Sequence, residues 1–251
     1  MKPKSGIVVS VALVGLRLCG VENDPAVAAE LQKLLAKHGV PALAAAIVTS
    51  AGMDACAVAG MRKCGAPEQV TVADLWHLGS DTKAMTAALV GRLVEEGTLT
   101  WDTRVAEVFP ELAPSFHPDV SAVTMRQLLA HRGGLKANLD WSAMAKAGGS
   151  VTDQRLRAVR EGLAAKPEAA CGARTLYSNL GYVIAGAVIE RRTGIAWEEA
   201  IAARVFRPLG MASAGYGGVG TPGRVDQPWP HPKSGAPAAS VNSCACRISR
   251  R

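Results

Sequence analysis

The spacing of apolar and polar residues predicts six helical segments in this chain. In each, apolar positions recur every three or four residues, which places them on one face of a helix. The predicted segments are residues 26–39, 80–97, 124–135, 150–165, 180–194 and 195–211. Gly39 and Gly97 end two of them, and glycine is the common residue at the left-handed end of a helix. Thr124 is a predicted N-cap.

Two of these helices are expected to differ in burial. Residues 180–194, "LGYVIAGAVIERRTG", are strongly apolar and predict a buried helix. Residues 150–165, "SVTDQRLRAVREGLAA", carry many charges and predict a surface helix with Thr152 or Asp153 near its start.

Two short apolar runs precede the helical part of the chain. Residues 42–49 and 55–61 flank a glycine-containing turn, which predicts a pair of antiparallel strands. Two strands followed by a long helical section indicate the α+β class.

The excess positive charge lies at the two ends of the chain. The net charge is +7, with three of these charges before residue 20 and four after residue 230. The body between them is close to neutral, whereas a nucleic-acid-binding protein carries a basic patch on its folded surface. We therefore expect no nucleic-acid partner.

The N-terminus combines Lys2 and Lys4 with an apolar run from Gly6 to Leu16. The run is too short to span a bilayer, so no stable membrane span is expected, but it suits the apolar region of a secretory signal. This predicts a periplasmic or secreted protein. The alternative is an apolar N-terminal strand or helix in a cytoplasmic protein.

The six cysteines show no Cys-x-x-Cys pair and no zinc-type spacing with histidine. A metal site is therefore not expected. Cys56 and Cys64 lie in one predicted hairpin, where they form either a disulfide in an exported protein or two free thiols.

Ser80 and Lys83 form the first candidate for chemistry, in "LGSDTKAM". Residues three apart on a helix share one face, so the amine of Lys83 can reach the Ser80 hydroxyl. The helix N-terminus also favours developing negative charge. The alternative is an ordinary helix cap followed by a solvated lysine.

Tyr177 and Asn179 form the second candidate, in "LYSNLGY". A phenol near a lysine can transfer a proton to or from a serine, and an amide can bond both the lysine and a substrate carbonyl. The alternatives are a half-buried tyrosine with its hydroxyl satisfied, and an asparagine that caps the following helix.

These motifs occur in an order that resembles a known family. "LWHLGSDTKAMTAALVGRLVEEG", "LLAHRGGL" and "YSNLGYVIAGAVIERRTG" are similar to three successive elements of the serine β-lactamase-like family, which includes class C β-lactamases, D-Ala-D-Ala peptidases and family VIII esterases. The second element has Gly133 where serine is usual. The resemblance extends from about residue 22 to residue 231.

The resemblance implies a β-lactamase/transpeptidase-like fold, with a helical lobe beside an antiparallel sheet. It also implies a serine hydrolase that cleaves a small-molecule amide or ester through an acyl-enzyme, without metal or organic cofactor. Ser80 would be the nucleophile, Lys83 its activating partner and Tyr177 the acid/base. Asn179 would bind the substrate amide. The N–H of Ser80 would supply one oxyanion donor, and a C-terminal strand the other.

The C-terminal part departs from the family pattern. Lys233-Ser234-Gly235 matches the family's third motif, but we interpret it as coincidental because prolines flank it and a sheet strand needs backbone donors. We expect a signal peptide at 1–20, a partial hydrolase domain at 21–231 and an atypical tail at 232–251. The chain would then be truncated, its C-terminal sheet strands missing and hydrolysis weak. The alternative function is a non-catalytic remnant or penicillin-binding-like protein.

Overall fold

A computed structural model describes residues 22–231 and the backbone of residues 246–248. The described residues divide between two compact units. The first takes residues 22–76 and 217–231, and the second takes residues 77–216 and 246–248. The predicted signal peptide and the Lys233-Ser234-Gly235 match lie outside the described residues.

Eight α-helices and four strands are present in the described part of the chain. The helices are α1 Pro25–His38, α2 Thr82–Glu95, α3 Val105–Val108, α4 Met125–Leu129, α5 Trp141–Lys146, α6 Val151–Ala164, α7 Asn179–Thr193 and α8 Trp197–Ile201, which continues as a π-helical turn over Ala202–Phe206. The strands are β1 Ala42–Thr49, β2 Gly52–Gly60, β3 Ala214–Tyr216 and β4 Cys246–Ile248. Short 3₁₀ turns cover Gly79–Asp81, Ala113–Ser115 and Pro118–Val120.

The first unit consists of α1 packed on an antiparallel strand pair. The carboxylate of Asp24 accepts hydrogen bonds from the first N–H groups of α1, and Gly39 ends the helix in the left-handed conformation at φ 62°. Leu31 of α1 is buried with Ala57 and Ala59 of β2. The predicted strand pair is confirmed: β1 and β2 form a two-stranded antiparallel sheet within the described residues.

The core of the second unit surrounds α7, as its apolar sequence predicted. The hydroxyl of Ser178 accepts the N–H of Gly181 and so caps the helix, and Gly194 ends it at φ 72°. Nine of its fifteen residues are buried, with Ile184 and Val188 fully enclosed. The prediction of a buried helix over residues 180–194 is therefore confirmed.

The prediction of a surface helix over residues 150–165 is confirmed, since α6 exposes one face and buries the other. Arg155, Ala158, Val159, Gly162 and Leu163 are all buried. Their spacing is the helical repeat of an apolar stripe, but an arginine and a glycine occupy two of its positions and hide the pattern. The N-cap is Ser150, which forms a capping box with Asp153.

Arg155 is buried because two carboxylates neutralise it. Its guanidinium pairs with Glu190 of α7, and its Nη2 lies 2.5 Å from Oε1 of Glu198 in α8. The same Oε1 of Glu190 also accepts the N–H of Trp197 at 3.0 Å and the hydroxyl of Thr152 at 3.2 Å. This ion cluster ties α6, α7 and α8 together.

One strand in the C-terminal tail was not apparent in the sequence. β4, at residues 246–248, pairs antiparallel with β3, with Ala214 opposite Ile248. A strand of three residues is too short to show the alternation of apolar and polar positions by which strands are recognised.

Two further expectations concern thiols and membranes. Cys56, Cys64 and Cys171 are free thiols, so Cys56 and Cys64 are not joined by a disulfide in this structure. Among the described helices, none combines the length and the apolar character required to cross a bilayer.

Candidate active site

Ser80 lies in the 3₁₀ turn that leads into α2, and Lys83 lies in the first turn of that helix. Asp81, rather than Ser80, is the residue that precedes α2, so Ser80 is not a helix cap. Nζ of Lys83 donates to Oγ of Ser80 at 3.1 Å. The three-residue spacing therefore brings the two side chains together as predicted.

Tyr177 completes the cluster from a position 97 residues further along the chain. Its hydroxyl oxygen lies 2.6 Å from Oγ of Ser80. Nζ of Lys83 lies 4.8 Å from the centroid of the Tyr177 ring. The serine hydroxyl is thus in direct contact with a phenol and an amine, and about half of the Tyr177 surface is exposed to solvent.

Two tyrosines near Lys83 have opposite electrostatic environments. Hydrogen bonds to Lys83 and Ser80 lower the pKa of Tyr177 below its ordinary value. Burial raises the pKa of Tyr182, whose hydroxyl donates to the carbonyl of Leu129 at 2.9 Å. Tyr177 is therefore the phenol suited to accept a proton, whereas Tyr182 stays protonated.

Asn179 is the first residue of α7 and does not cap it, because Ser178 does. Its Nδ2 donates to Oδ1 of Asn138 at 2.9 Å, and its backbone N–H donates to the carbonyl of Ala137 at the same distance. Oδ1 of Asn138 also accepts the indole N–H of Trp141 at 3.0 Å. The orientation of the Asn179 amide is thereby fixed, and its contacts with Lys83 and substrate remain predictions.

His131 contacts the site but was not singled out as functional from the sequence. It follows α4 and has φ 57°, the only positive φ of a non-glycine residue in the described part of the chain. This backbone conformation costs a non-glycine residue on the order of 1–3 kcal/mol. Its ring lies 4.5 Å from that of Tyr177, centroid to centroid. The sequence feature that could have identified His131 is its position in "LLAHRGGL", the second of the three family-like elements.

The chain is similar to curated proteins that are named as a penicillin-binding protein and as a putative D-alanyl-D-alanine carboxypeptidase. The chain is 31% identical over 179 residues to penicillin-binding protein 4 of Amycolatopsis lactamdurans, a match that covers 71% of this chain and 45% of the relative. It is 27% identical over 149 residues to a putative D-alanyl-D-alanine carboxypeptidase of Escherichia coli, covering 58% of this chain and 34% of the relative. The chain thus spans less than half the length of these relatives.

The fold is shared with solved structures. The D-alanine carboxypeptidase AmpC from Burkholderia cenocepacia superposes with a TM-score of 0.69 at 22% identity, covering 89% of this chain and 60% of that chain. This confirms the predicted α+β, β-lactamase/transpeptidase-like fold. The model of the family described as Beta-lactamase matches residues 27–247. With most of its length matched, the chain belongs to the Beta-lactamase family.

Proposed function

We propose that this chain is a serine hydrolase of the β-lactamase type, which cleaves a small-molecule amide or ester through an acyl-enzyme on Ser80. The observation that carries the proposal is the cluster in which Oγ of Ser80 lies 2.6 Å from the hydroxyl of Tyr177 and 3.1 Å from Nζ of Lys83. A nucleophile within hydrogen-bond reach of a base, which is itself oriented by a third group, is the arrangement that acyl transfer requires.

The lowered pKa of Tyr177 supports a role for this residue in the proton transfers. Tyr177 in its phenolate form takes the hydroxyl proton of Ser80 while Oγ bonds to the substrate carbonyl carbon. The phenol then returns the proton to the leaving nitrogen or oxygen as its bond to carbon breaks. Water attacks the acyl-enzyme, gives its proton to Tyr177, and the acid product leaves as Ser80 is reprotonated.

Lys83 supports this sequence as a cation. Its ammonium donates to Ser80 and stabilises the phenolate of Tyr177. Negative charge on the carbonyl oxygen would be stabilised by the N–H of Ser80. The amide of Asn179, held by Asn138, is proposed to bind a substrate amide.

The proposed organisation places this hydrolase in residues 21–231 of an exported protein. The relatives of this chain carry names of penicillin-binding proteins and carboxypeptidases. Export to the periplasm or the medium, directed by residues 1–20, would bring a hydrolase of this kind to penicillins and D-alanyl-D-alanine peptides, the molecules that those names mention. A reporter protein fused after residue 20 would test the export step. The amount of reporter is measured in each cell fraction.

Covalent labelling tests whether Ser80 is the nucleophile. A fluorescent penicillin and a fluorophosphonate are added to the wild-type chain and to two variants, Ser80→Ala and Ser115→Ala. Ser115 is an exposed serine in the same unit. We expect both probes to label the wild type and Ser115→Ala, and peptide mass spectrometry to place the adduct on Ser80. Equal labelling of Ser80→Ala would refute the proposal.

A penicillin-binding role without turnover is the second candidate. It is favoured by the identity of 31% to a protein that carries that name. Nitrocefin and p-nitrophenyl ester assays separate the two roles, since steady product release indicates a hydrolase. A burst of one equivalent followed by no further product indicates a binding protein.

A further inference from the structure

His131 holds the backbone on both sides of Tyr177. Its carbonyl oxygen accepts the N–H of Leu176 at 2.7 Å. Its Nδ1 accepts the N–H of Ser178 at 3.1 Å. Its ring also lies against the Tyr177 ring, at 4.5 Å between centroids and 36° between planes. One residue therefore contacts Tyr177 and both of its neighbours.

His131 makes both hydrogen bonds from a left-handed backbone conformation. At φ 57° the carbonyl and the ring of the same residue both face the Leu176–Ser178 segment. A strained conformation that persists is maintained by its surroundings, and such conformations cluster at functional sites. The left-handed backbone thus occurs in the residue whose ring contacts Tyr177, the proposed proton acceptor.

We propose that His131 is a positioning residue, which holds the phenol of Tyr177 against Ser80 and does so only as a neutral imidazole. The proposal rests on the proposed function for the role of Tyr177. A neutral ring with its proton on Nε2 presents a lone pair at Nδ1 to the N–H of Ser178. A protonated ring carries hydrogen on both nitrogens, so two donors would face each other and the bond to Ser178 would be lost.

Burial and a neighbouring cation favour the neutral form of the His131 ring. Lys83 of α2 faces it with positive charge, and the phenols of Tyr177 and Tyr182 pack against it. Burial and the charge of Lys83 lower the pKa of His131 below its ordinary value. His131 therefore stays neutral to lower pH than a free histidine. Its hydrogen bond from the N–H of Ser178 is lost only when the pH falls through this lowered pKa.

Three variants separate the acceptor from the backbone conformation. His131→Gly tolerates the left-handed φ but removes the acceptor, whereas His131→Asn tolerates that φ and offers Oδ1 near the position of Nδ1. His117→Asn is the matched control, because Nδ1 of His117 also accepts a backbone N–H, that of Asp119 at 3.3 Å. Circular dichroism confirms that each variant folds.

The rate of labelling of Ser80 by the fluorescent penicillin is measured against pH. Because a misplacement of about 1 Å at a reacting group costs on the order of 100-fold in rate, we expect His131→Gly to label roughly 10- to 100-fold more slowly. Below the lowered pKa of His131, the wild-type rate should fall more steeply than the titration of Tyr177 alone requires. His131→Asn should label within a few-fold of the wild type and lose this extra decline, keeping only the pH dependence that Tyr177 imposes. His117→Asn should keep both the rate and the extra decline. A wild-type rate and extra decline in His131→Gly would overturn the proposal.

A second readout does not depend on acylation. The phenolate absorbance of Tyr177, obtained by difference from Tyr177→Phe, reports its pKa. We expect His131→Gly to return this pKa towards the ordinary tyrosine value, because the phenol leaves Lys83, and His131→Asn to keep it low. This shift in a protein whose Ser80 does not label would support the positioning role and refute the hydrolase. A Tyr177 pKa unchanged in His131→Gly would refute the positioning role alone.

Discussion

Removal of the buried guanidinium of Arg155 should destabilise the second unit strongly. In Arg155→Ala, the carboxylate of Glu190, whose side chain is only 7% exposed, would lose its counter-charge. It would keep the hydrogen bonds from Thr152 and Trp197. Glu198 is 31% exposed and can turn to solvent. Because only one carboxylate would remain buried without a counter-charge, we expect the free energy of unfolding to fall by about 3 kcal/mol. This is at the lower end of what breaking a buried ion pair costs.

Urea unfolding followed by circular dichroism measures this loss. Arg160→Ala is the matched control, because Arg160 is an exposed arginine on the same helix, and it should change the free energy of unfolding by less than about 0.5 kcal/mol. The double variant Arg155→Met, Glu190→Gln removes both charges at similar volume and should recover at least half of the loss. If Arg155→Ala is as stable as Arg160→Ala, the cluster does not stabilise the fold and the reasoning is refuted.

Three further predictions follow from single contacts. Tyr177→Phe should slow acylation of Ser80 by roughly 100- to 10,000-fold, because it removes the proton acceptor at 2.6 Å, and an unchanged labelling rate would contradict that role. The wild-type labelling rate should rise with pH about a midpoint below the ordinary tyrosine pKa of about 10, since the lowered pKa makes the phenolate available at lower pH. A pH profile that is unchanged in Tyr177→Phe would assign this rise to another group. Gly134→Ala should destabilise the fold more than Gly148→Ala: both have positive φ, but only at Gly134 would a Cβ lie 2.1 Å from a backbone oxygen, that of Ala169. Equal midpoints of thermal unfolding in the two glycine variants would contradict the steric argument.

The candidate site could be predicted from the sequence where its geometry is local. Ser80 and Lys83 meet because they are three residues apart at the start of a helix, and this separation can be read directly from the sequence. The association with Tyr177 was predicted from the family resemblance, since no local pattern reports a contact 97 residues away. His131 was not identified because a positive φ in a non-glycine residue leaves no mark on composition or periodicity.

Tertiary contacts also decided the details that the sequence left open. Asn179 was considered as a cap of α7, but the hydroxyl of Ser178 accepts the N–H of Gly181 and caps the helix, while the N–H of Asn179 donates to the carbonyl of Ala137. The burial of α6 depended on Arg155, which is a surface residue unless two carboxylates meet it. Both carboxylates lie at least 35 residues away in the chain.

The contact between Ser80 and Tyr177 also makes the reactivity of this chain a reporter of its folding. The two groups close a loop of 97 residues, and contacts at such sequence separation form only after much of the chain entropy has been lost. Both belong to the unit built from residues 77–216. During refolding, Ser80 should therefore gain its reactivity towards penicillin after the helical signal has returned, so that a covalent label counts native molecules and ignores partly folded ones.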